Sequence, residues 1–282
     1  MIGAVIPAAA PTARVPVEAP GGEAASRVLP EETPVALVYN GGTQAVMMAT
    51  PADLEDFALG FTISEGIAPR DALPEVEVVA HDTPSGPAIE ARMWLPAEAE
   101  MQLSARRRAS VGPVGCGLCG IDSLSQALRP LPALPEAHVG LTTADVKFAL
   151  GELRDWQPLH DETRAVHAAG FWQPGQGILM AREDVGRHNA LDKLIGALAR
   201  AGIDPALGAI ALTSRLSVEM IQKAVMAGCP ILLAVSAPTA RAVRIAEDAN
   251  LTLASTSRGE VHVFTHPRRI LTRRREGARF GR

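Results

Sequence analysis

The sequence predicts an α/β protein built as two domains, and three observations carry that prediction. Beyond residue 138, short apolar runs of strand length alternate with amphipathic helical patterns. Residues 26–110 show a mixed pattern, β-like runs around one helical stretch, which reads as a small α+β N-terminal domain. Between the two, residues 111–138 hold a glycine-rich pair of cysteines and then Pro130, Pro132 and Pro135, a linker composition. The chain has 282 residues, 47% of them hydrophobic and 21% charged, enough for two globular units. An aromatic share of 4% leaves aliphatic side chains to build their cores.

The elements follow in order. Residues 1–25, rich in Ala and Pro but without a basic start or a long apolar stretch, read as a disordered lead-in rather than a signal peptide. Val35–Tyr39 and Ala45–Met48 read as strands around Asn40-Gly41-Gly42, a hairpin signal. Thr50 reads as a helix cap with Pro51 at the first position, Asp53 reaching back, and Leu54, Phe57, Ala58 and Phe61 on one face; Gly66 ends the helix. The second domain, residues 139–270, opens with a helix capped near Thr142 that presents Val146, Leu150 and Leu153. Strands are expected at 165–171, 177–182, 209–213, 231–236, 251–254 and 261–265. Helices are expected at 189–201 before Gly202, 218–227 before Gly228, and 239–249. Such interleaving argues for a mostly parallel sheet, with ligands at the carboxyl ends of its strands. Residues 271–282 form a basic C-terminal tail.

Charge and cysteine usage narrow the function classes. A formal net charge of -4 gives no global basic field for nucleic acid, and no apolar run is long enough to span a membrane. Three cysteines, two of them in one C-x-x-C, do not make a secreted disulfide framework and suit a reducing cytoplasm. Cys229, before Pro230 at the start of an apolar run, reads as buried packing.

In Gly115-Cys116-Gly117-Leu118-Cys119-Gly120 the glycines permit positive φ and leave the sulfurs reachable. The spacing serves a metal, a redox disulfide or a persulfide. No second ligand pair at zinc-finger spacing accompanies it, and no helix start of the thioredoxin kind. His167 stands where the H-x-E of a zinc deaminase begins, but Ala169 holds the place of the proton-shuttling Glu, and no P-C-x-x-C follows. A loop of this kind suits carrying sulfur between partners, since attack on a persulfide follows disulfide-exchange chemistry.

Three strand-to-helix junctions carry anion-binding residue types. The densest is Arg182-Glu183-Asp184-Val185-Gly186-Arg187-His188-Asn189, with Asp192-Lys193 one turn on. The others are Thr213-Ser214-Arg215-Leu216-Ser217 and Ser236-Ala237-Pro238-Thr239. A helix amino terminus beside Arg and His suits a phosphate, and a capped, salt-bridged surface turn is the plain alternative. The stretch Ser255-Thr256-Ser257-Arg258-Gly259-Glu260 offers backbone amides and one Arg to a nucleotide or pyrophosphate, or is simply a hairpin loop.

These motifs, with Glu219-Met220-Ile221-Gln222-Lys223-Ala224, resemble the FdhD/NarQ family of sulfur carriers required for formate dehydrogenase activity, over about residues 35–270. The resemblance implies a C-terminal domain similar to the cytidine deaminase fold without its zinc site, hence α/β/α layers and no bound metal. It implies that a cysteine desulfurase loads Cys116 as a persulfide, with Cys119 as its companion thiol. The sulfur then passes to a molybdenum or tungsten bis(molybdopterin guanine dinucleotide) cofactor destined for formate dehydrogenase. No cofactor is held permanently, GDP is expected to mimic the nucleotide end, and the protein is expected to be a cytoplasmic homodimer. By position, the family's cofactor-binding turn falls on Ser255, Thr256, Ser257, Arg258, Gly259 and Glu260, while Arg187, His188, Arg215 and His167 line the phosphate rim. A non-catalytic chaperone that binds the cofactor is the alternative function.

Overall fold

A computed structural model of the chain describes residues 10–18, 20–109 and 130–271. Thr12–Glu18 (β1) and Ala24–Pro30 (β2) pair antiparallel as a hairpin, where the sequence reading expects a disordered lead-in to residue 25. Most of its side chains are exposed, so no alternating apolar pattern marks it; β2 lies against helix Pro158–Thr163.

Four strands form the first sheet, in the order β4-β3-β6-β5: Thr33–Tyr39 (β3), Gly42–Ala49 (β4), Val76–Thr83 (β5) and Gly86–Met93 (β6). Asn40 and Gly41, both with positive φ, make the two-residue turn between β3 and β4 that the Asn-Gly pair predicts. Leu54–Ser64 (α1) lays Phe57, Ala58 and Phe61 on this sheet, and Leu103 of Ala97–Ala109 (α2) joins the same apolar cluster.

The larger sheet has the order β13-β12-β11-β10-β8-β9. Its strands are His167–Gln173 (β8), Gly177–Asp184 (β9), Ala209–Leu212 (β10), Ile231–Ala234 (β11), Thr252–Ser257 (β12) and Glu260–Val263 (β13). On one face pack Arg187–Arg200 (α5), Val218–Met226 (α6) and Ala240–Asp248 (α7), through Leu191, Leu194, Met220, Ile221, Ala242 and Ala246. On the other face Thr143–Glu152 (α3) contributes Val146, Ala149 and Leu150. Thr142 caps α3 in a reciprocal box with Asp145, as its position predicts. The short helix Pro158–Thr163 (α4) follows, and the two-residue strands Leu141–Thr142 (β7) and Ile270–Leu271 (β14) pair parallel, so residue 271 belongs to the fold rather than to the tail.

The expected mostly parallel sheet is corrected. Only β10–β11 and β11–β12 are parallel; β8–β10, β8–β9 and β12–β13 are antiparallel. Apolar runs report burial on both sides and are silent about direction, which the connections decide: β8 and β9 form a hairpin at one side, β12 and β13 at the other.

The two sheets are joined where α1 crosses α5. Ideal Cβ atoms placed on Gly60 and Gly196 would stand 1.7 Å from the Asp192 carbonyl oxygen and 1.9 Å from that of Asp56, so backbone touches backbone at the crossing. Gly60→Ala is expected to destabilise the fold by about 1–3 kcal/mol or more in denaturant titration, because neither backbone can retreat from the added methyl. Gly151→Ala, in α3 with nothing within 4 Å, should instead be neutral or stabilising by up to about 1 kcal/mol.

Candidate functional site

Residues 182–193 end β9 and begin α5, and most of their polar side chains are occupied inside the fold. Arg182 binds Asp56 of α1 through Nε at 2.8 Å and Nη2 at 2.7 Å, and Arg200 takes the other Asp56 oxygen at 2.8 Å. The Glu183 carboxylate accepts from the Leu159 and His160 amides at the start of α4, both at 2.8 Å. Asp184, 0% exposed, pairs with Lys193 Nζ at 2.7 Å and accepts from the Thr50 and Gly186 amides and from Asn189 Nδ2. Lys193 also donates to the Thr50 carbonyl oxygen, Thr50 Oγ1 accepts from the Val185 amide, and Asn189 donates to the Met48 carbonyl oxygen. The cluster is salt-bridged, but it is buried rather than on the surface.

Thr50 is therefore not a helix cap. Helix α1 begins at Leu54 after Asp53 in left-handed conformation, without a capping side chain. A second buried knot lies beside the first: Lys223 of α6 holds Asp192 at 2.8 Å and Ser64 Oγ at 3.0 Å, and Ser64 donates to Asp192 at 2.7 Å. Burial alone would lower the Lys223 ammonium, but the Asp192 and Glu65 carboxylates hold it above the ordinary lysine value.

Arg187 and His188 stand apart from these knots. Antiparallel pairing puts the first residue of β8, His167, opposite Asp184, so His167, the α5 start and the α6 start share one end of the sheet. His188 Nε2 lies 4.0 Å from Glu219 Oε2 of α6. Arg187 Nε, His188 Nε2 and Ser217 Oγ are all buried without a hydrogen-bond partner among the described residues, although Ser217 sits close enough to Glu219 to help hold it ionised. Neither α5, starting after Gly186, nor α6, starting after Ser217, has a side-chain cap. Of the six buried side-chain atoms left unpaired among the described residues, three fall at this one end of the sheet, the others being Thr33 Oγ1, His81 Nε2 and Arg269 Nε far from one another in the chain, and such a concentration suits a ligand.

Protonation states sharpen the picture. Desolvation, then the charges of Arg187 and Lys223, lower His188 to about 4, which leaves its imidazole neutral near pH 7. Desolvation and Arg187 lower His167 as well. Desolvation would raise the Glu219 carboxyl, yet Ser217, its own amide, His188 and Arg187 together bring it below the usual carboxylate range. This end of the sheet thus gathers a guanidinium, neutral imidazoles and two helix amino termini, with the Glu219 carboxylate and its Ser217 hydroxyl beside them. That inventory suits a phosphate. Among the described residues no group of three or more His, Cys, Asp or Glu side chains could hold a metal ion.

The other expected site residues fall on the same sheet end but not in the same pocket. Arg215 is exposed in the loop after β10. Arg258 and Gly259, with φ of 50° and 81°, form a two-residue hairpin turn between Ser257 and Glu260, all four exposed, and Thr256 is half-buried. Ser255 is 2% exposed inside the sheet and offers no surface. At ordinary strand spacing this turn stands about 14 Å from His167, three strands away. Cys116 and Cys119 lie outside the described residues. Cys229 is buried, its thiol pushed up by desolvation to about 12, which makes it a packing residue.

The FdhD/NarQ family model matches residues 30–271 of the chain. The chain belongs to the FdhD/NarQ family. It is 50% identical over 247 residues to the sulfur carrier protein FdhD of Agrobacterium fabrum (87% of this chain, 90% of that protein) and 53% identical over 253 residues to that of Brucella abortus (89% and 93%). It is also similar to the crystal structure of a candidate formate dehydrogenase accessory protein from Desulfotalea psychrophila, with TM-score 0.68 and 27% identity over 92% of this chain and 98% of that one.

Against this family background, the sequence reading brings Arg187, His188 and His167 to one place and leaves Arg215 and the 255–260 turn along the edge. Glu219 was the member it did not assign. The signal was available: Glu219 and Lys223 are spaced i, i+4, so both lie on one face of α6. Lys223 anchors that face to α1 and α5, and Glu219 follows it toward His188. No helix among the described residues is long and apolar enough to cross a membrane. Lys193→Met, which leaves Asp184 charged and buried, should cost about 3–5 kcal/mol in thermal or denaturant unfolding. A loss below about 1 kcal/mol would show that the pair does not hold the two sheets together.

Proposed function

We propose that this protein is a sulfur carrier for formate dehydrogenase maturation, acting as a sulfurtransferase. Its relatives at about half identity over most of their length bear the name sulfur carrier protein FdhD, and that observation carries the reading. Cys116 takes the terminal sulfur of a cysteine desulfurase persulfide. Its thiolate attacks that sulfur, the S–S bond of the donor breaks, and the donor cysteine leaves as a thiolate. Cys119 is the second thiol of the pair. The acceptor is the bis(molybdopterin guanine dinucleotide) cofactor of molybdenum or tungsten, handled as cargo and released to formate dehydrogenase. A homodimer working in the cytoplasm completes the reading.

What the chain's own residues do for that cargo is bind its phosphates and nucleotide. Arg187, His188 and His167 take one phosphate where α5 and α6 begin; the unpaired Arg187 Nε supplies a donor, while Ser217 Oγ serves Glu219. Arg215 and the turn Thr256, Ser257, Arg258, Gly259 and Glu260 line the edge toward the far end, with Ser255 beneath them. The strand ends between β12 and β9 span about 19 Å, a length suited to an extended dinucleotide.

Incubation with a desulfurase and cysteine should add one sulfur atom to Cys116 or Cys119 by mass spectrometry, removable by reductant, and none to Cys229. Loading of Cys229 alone would overturn the assignment. Restoration of formate dehydrogenase activity in cells by a variant with both Cys116 and Cys119 changed to Ser would favour a chaperone without sulfur transfer. Separately, calorimetry should show GDP binding to the purified protein, weakened about ten- to hundredfold by Arg187→Ala, the worth of one charge-assisted hydrogen bond. Unchanged GDP affinity in that variant would remove Arg187 from the site.

A further inference from the structure

One residue of the pocket is in a state that a phosphate would change. His188 is packed where the charges that face it oppose one another: Arg187 on its own helix, Lys223 and Glu219 from α6, and His167 from β8. Lys223 is committed to Asp192 and Ser64, Arg187 Nε is unpaired, and the one carboxylate is 4.0 Å from Nε2, beyond hydrogen-bond reach. The imidazole is therefore held neutral first by its burial and then by two cations that resist its charging, with its carboxylate partner too distant to offset them. Its Nε2 is enclosed and unpaired, with Glu219 Oε2 of α6 as the carboxylate nearest to it.

We propose that this pocket binds a phosphate group together with a proton, and that His188 carries that proton as an imidazolium bridging the phosphate and Glu219. The inference rests on the phosphate-site reading above and adds its proton linkage. The physical balance favours it. One elementary charge about 4 Å away, at the effective dielectric of a part-buried site, changes a protonation constant about a thousandfold. The terminal phosphate of GDP carries nearly two such charges and an internal phosphate of a dinucleotide carries one, and either offsets the Arg187 guanidinium that opposes the charging of His188. The sign follows: the protein alone holds His188 neutral and the phosphate-bound protein holds it charged. A proton is taken up on binding, so affinity rises as pH falls from 8 toward 6.

The linkage also answers the oddity of Glu219. A carboxylate beside an anion site repels its ligand unless something positive stands between them. With His188 protonated, Glu219 becomes the second acceptor of the imidazolium and the repulsion becomes part of the fit. Cargo release at higher pH, or on removal of the proton, is then built into the same contact.

The test is calorimetry of GDP binding to the full chain at pH 6 and 7, each in two buffers of different ionisation enthalpy, for wild type and His188→Gln. The terminal phosphate of GDP itself ionises near pH 6, so the histidine is read from the difference between the two proteins. Wild type should take up more protons per GDP than His188→Gln, with a dissociation constant that falls by up to about tenfold more per pH unit. Wild type can also be read without substitution: the His188 ring carbon resonance should move to its protonated position when GDP is added at pH 7. Equal proton uptake by the two proteins, or an unmoved resonance with GDP bound, overturns the inference and leaves the phosphate site standing. No GDP binding at all overturns both.

Discussion

Everything in this fold hangs on the ion pair between Asp184 and Lys193, both 0% exposed, closed around the backbone of Thr50. Three elements meet there: the end of β4, the end of β9 and the first turns of α5. A buried pair of this kind adds little net stability over a well-packed apolar substitute. Its effect is on which arrangement is allowed. If α5 fails to seat Lys193 beneath Thr50, Asp184 stays charged, dry and unpaired, and every competing docking of the two sheets carries that penalty. The Gly60–Gly196 crossing provides the matching steric condition, since the helices can approach that far only along one line.

The same pair explains how a run of charged residues divides its labour. Arg182, Glu183, Asp184, Asn189, Asp192 and Lys193 all face partners within the fold, five of them on residues more than a hundred positions away. Arg187 and His188 fall in the gap between β9 and the buried face of α5. They are the first two residues of that helix, while Asn189, Asp192 and Lys193 further along it bind partners on β4, on α1 and just after β4. A site built this way is rigid, because each of its members is one or two residues from an anchored one.

Much of this was legible in the sequence, and the gaps have physical reasons. The six strands of the larger sheet and the helices on it were read within a few positions, because buried apolar runs and glycine stops are local signals. The short α4, β7 and β14 were not read, nor were β5, β6 and α2 in the first half. Thr50 followed by Pro51 has the local look of a cap, but its partners Asp184, Val185 and Lys193 lie far along the chain and override it. β1 and β2 were missed because exposed strands carry no alternation. Of the site, Arg187 and His188 were legible as residue types at a helix start. That they are unpaired while their neighbours are not depended on Asp56, Thr50 and Ser64, which no local pattern connects to them.

Strand direction, the feature least readable from apolar runs, is the one on which the site depends most. Had β8 run parallel to β10, its last residues would have reached the edge where α5 and α6 begin, and His167 would lie at the opposite end of the sheet. Because β8 is antiparallel, its first residue arrives there instead, opposite Asp184 and close enough to feel the Arg187 charge and to act on His188. The mixed sheet thus gathers groups from the start of one strand, the end of another and the first turns of two helices. A purely parallel sheet gathers only strand ends. The fold can therefore place imidazoles near a guanidinium and a carboxylate, and burial, with the charges of Arg187 and Lys223, keeps His188 neutral there.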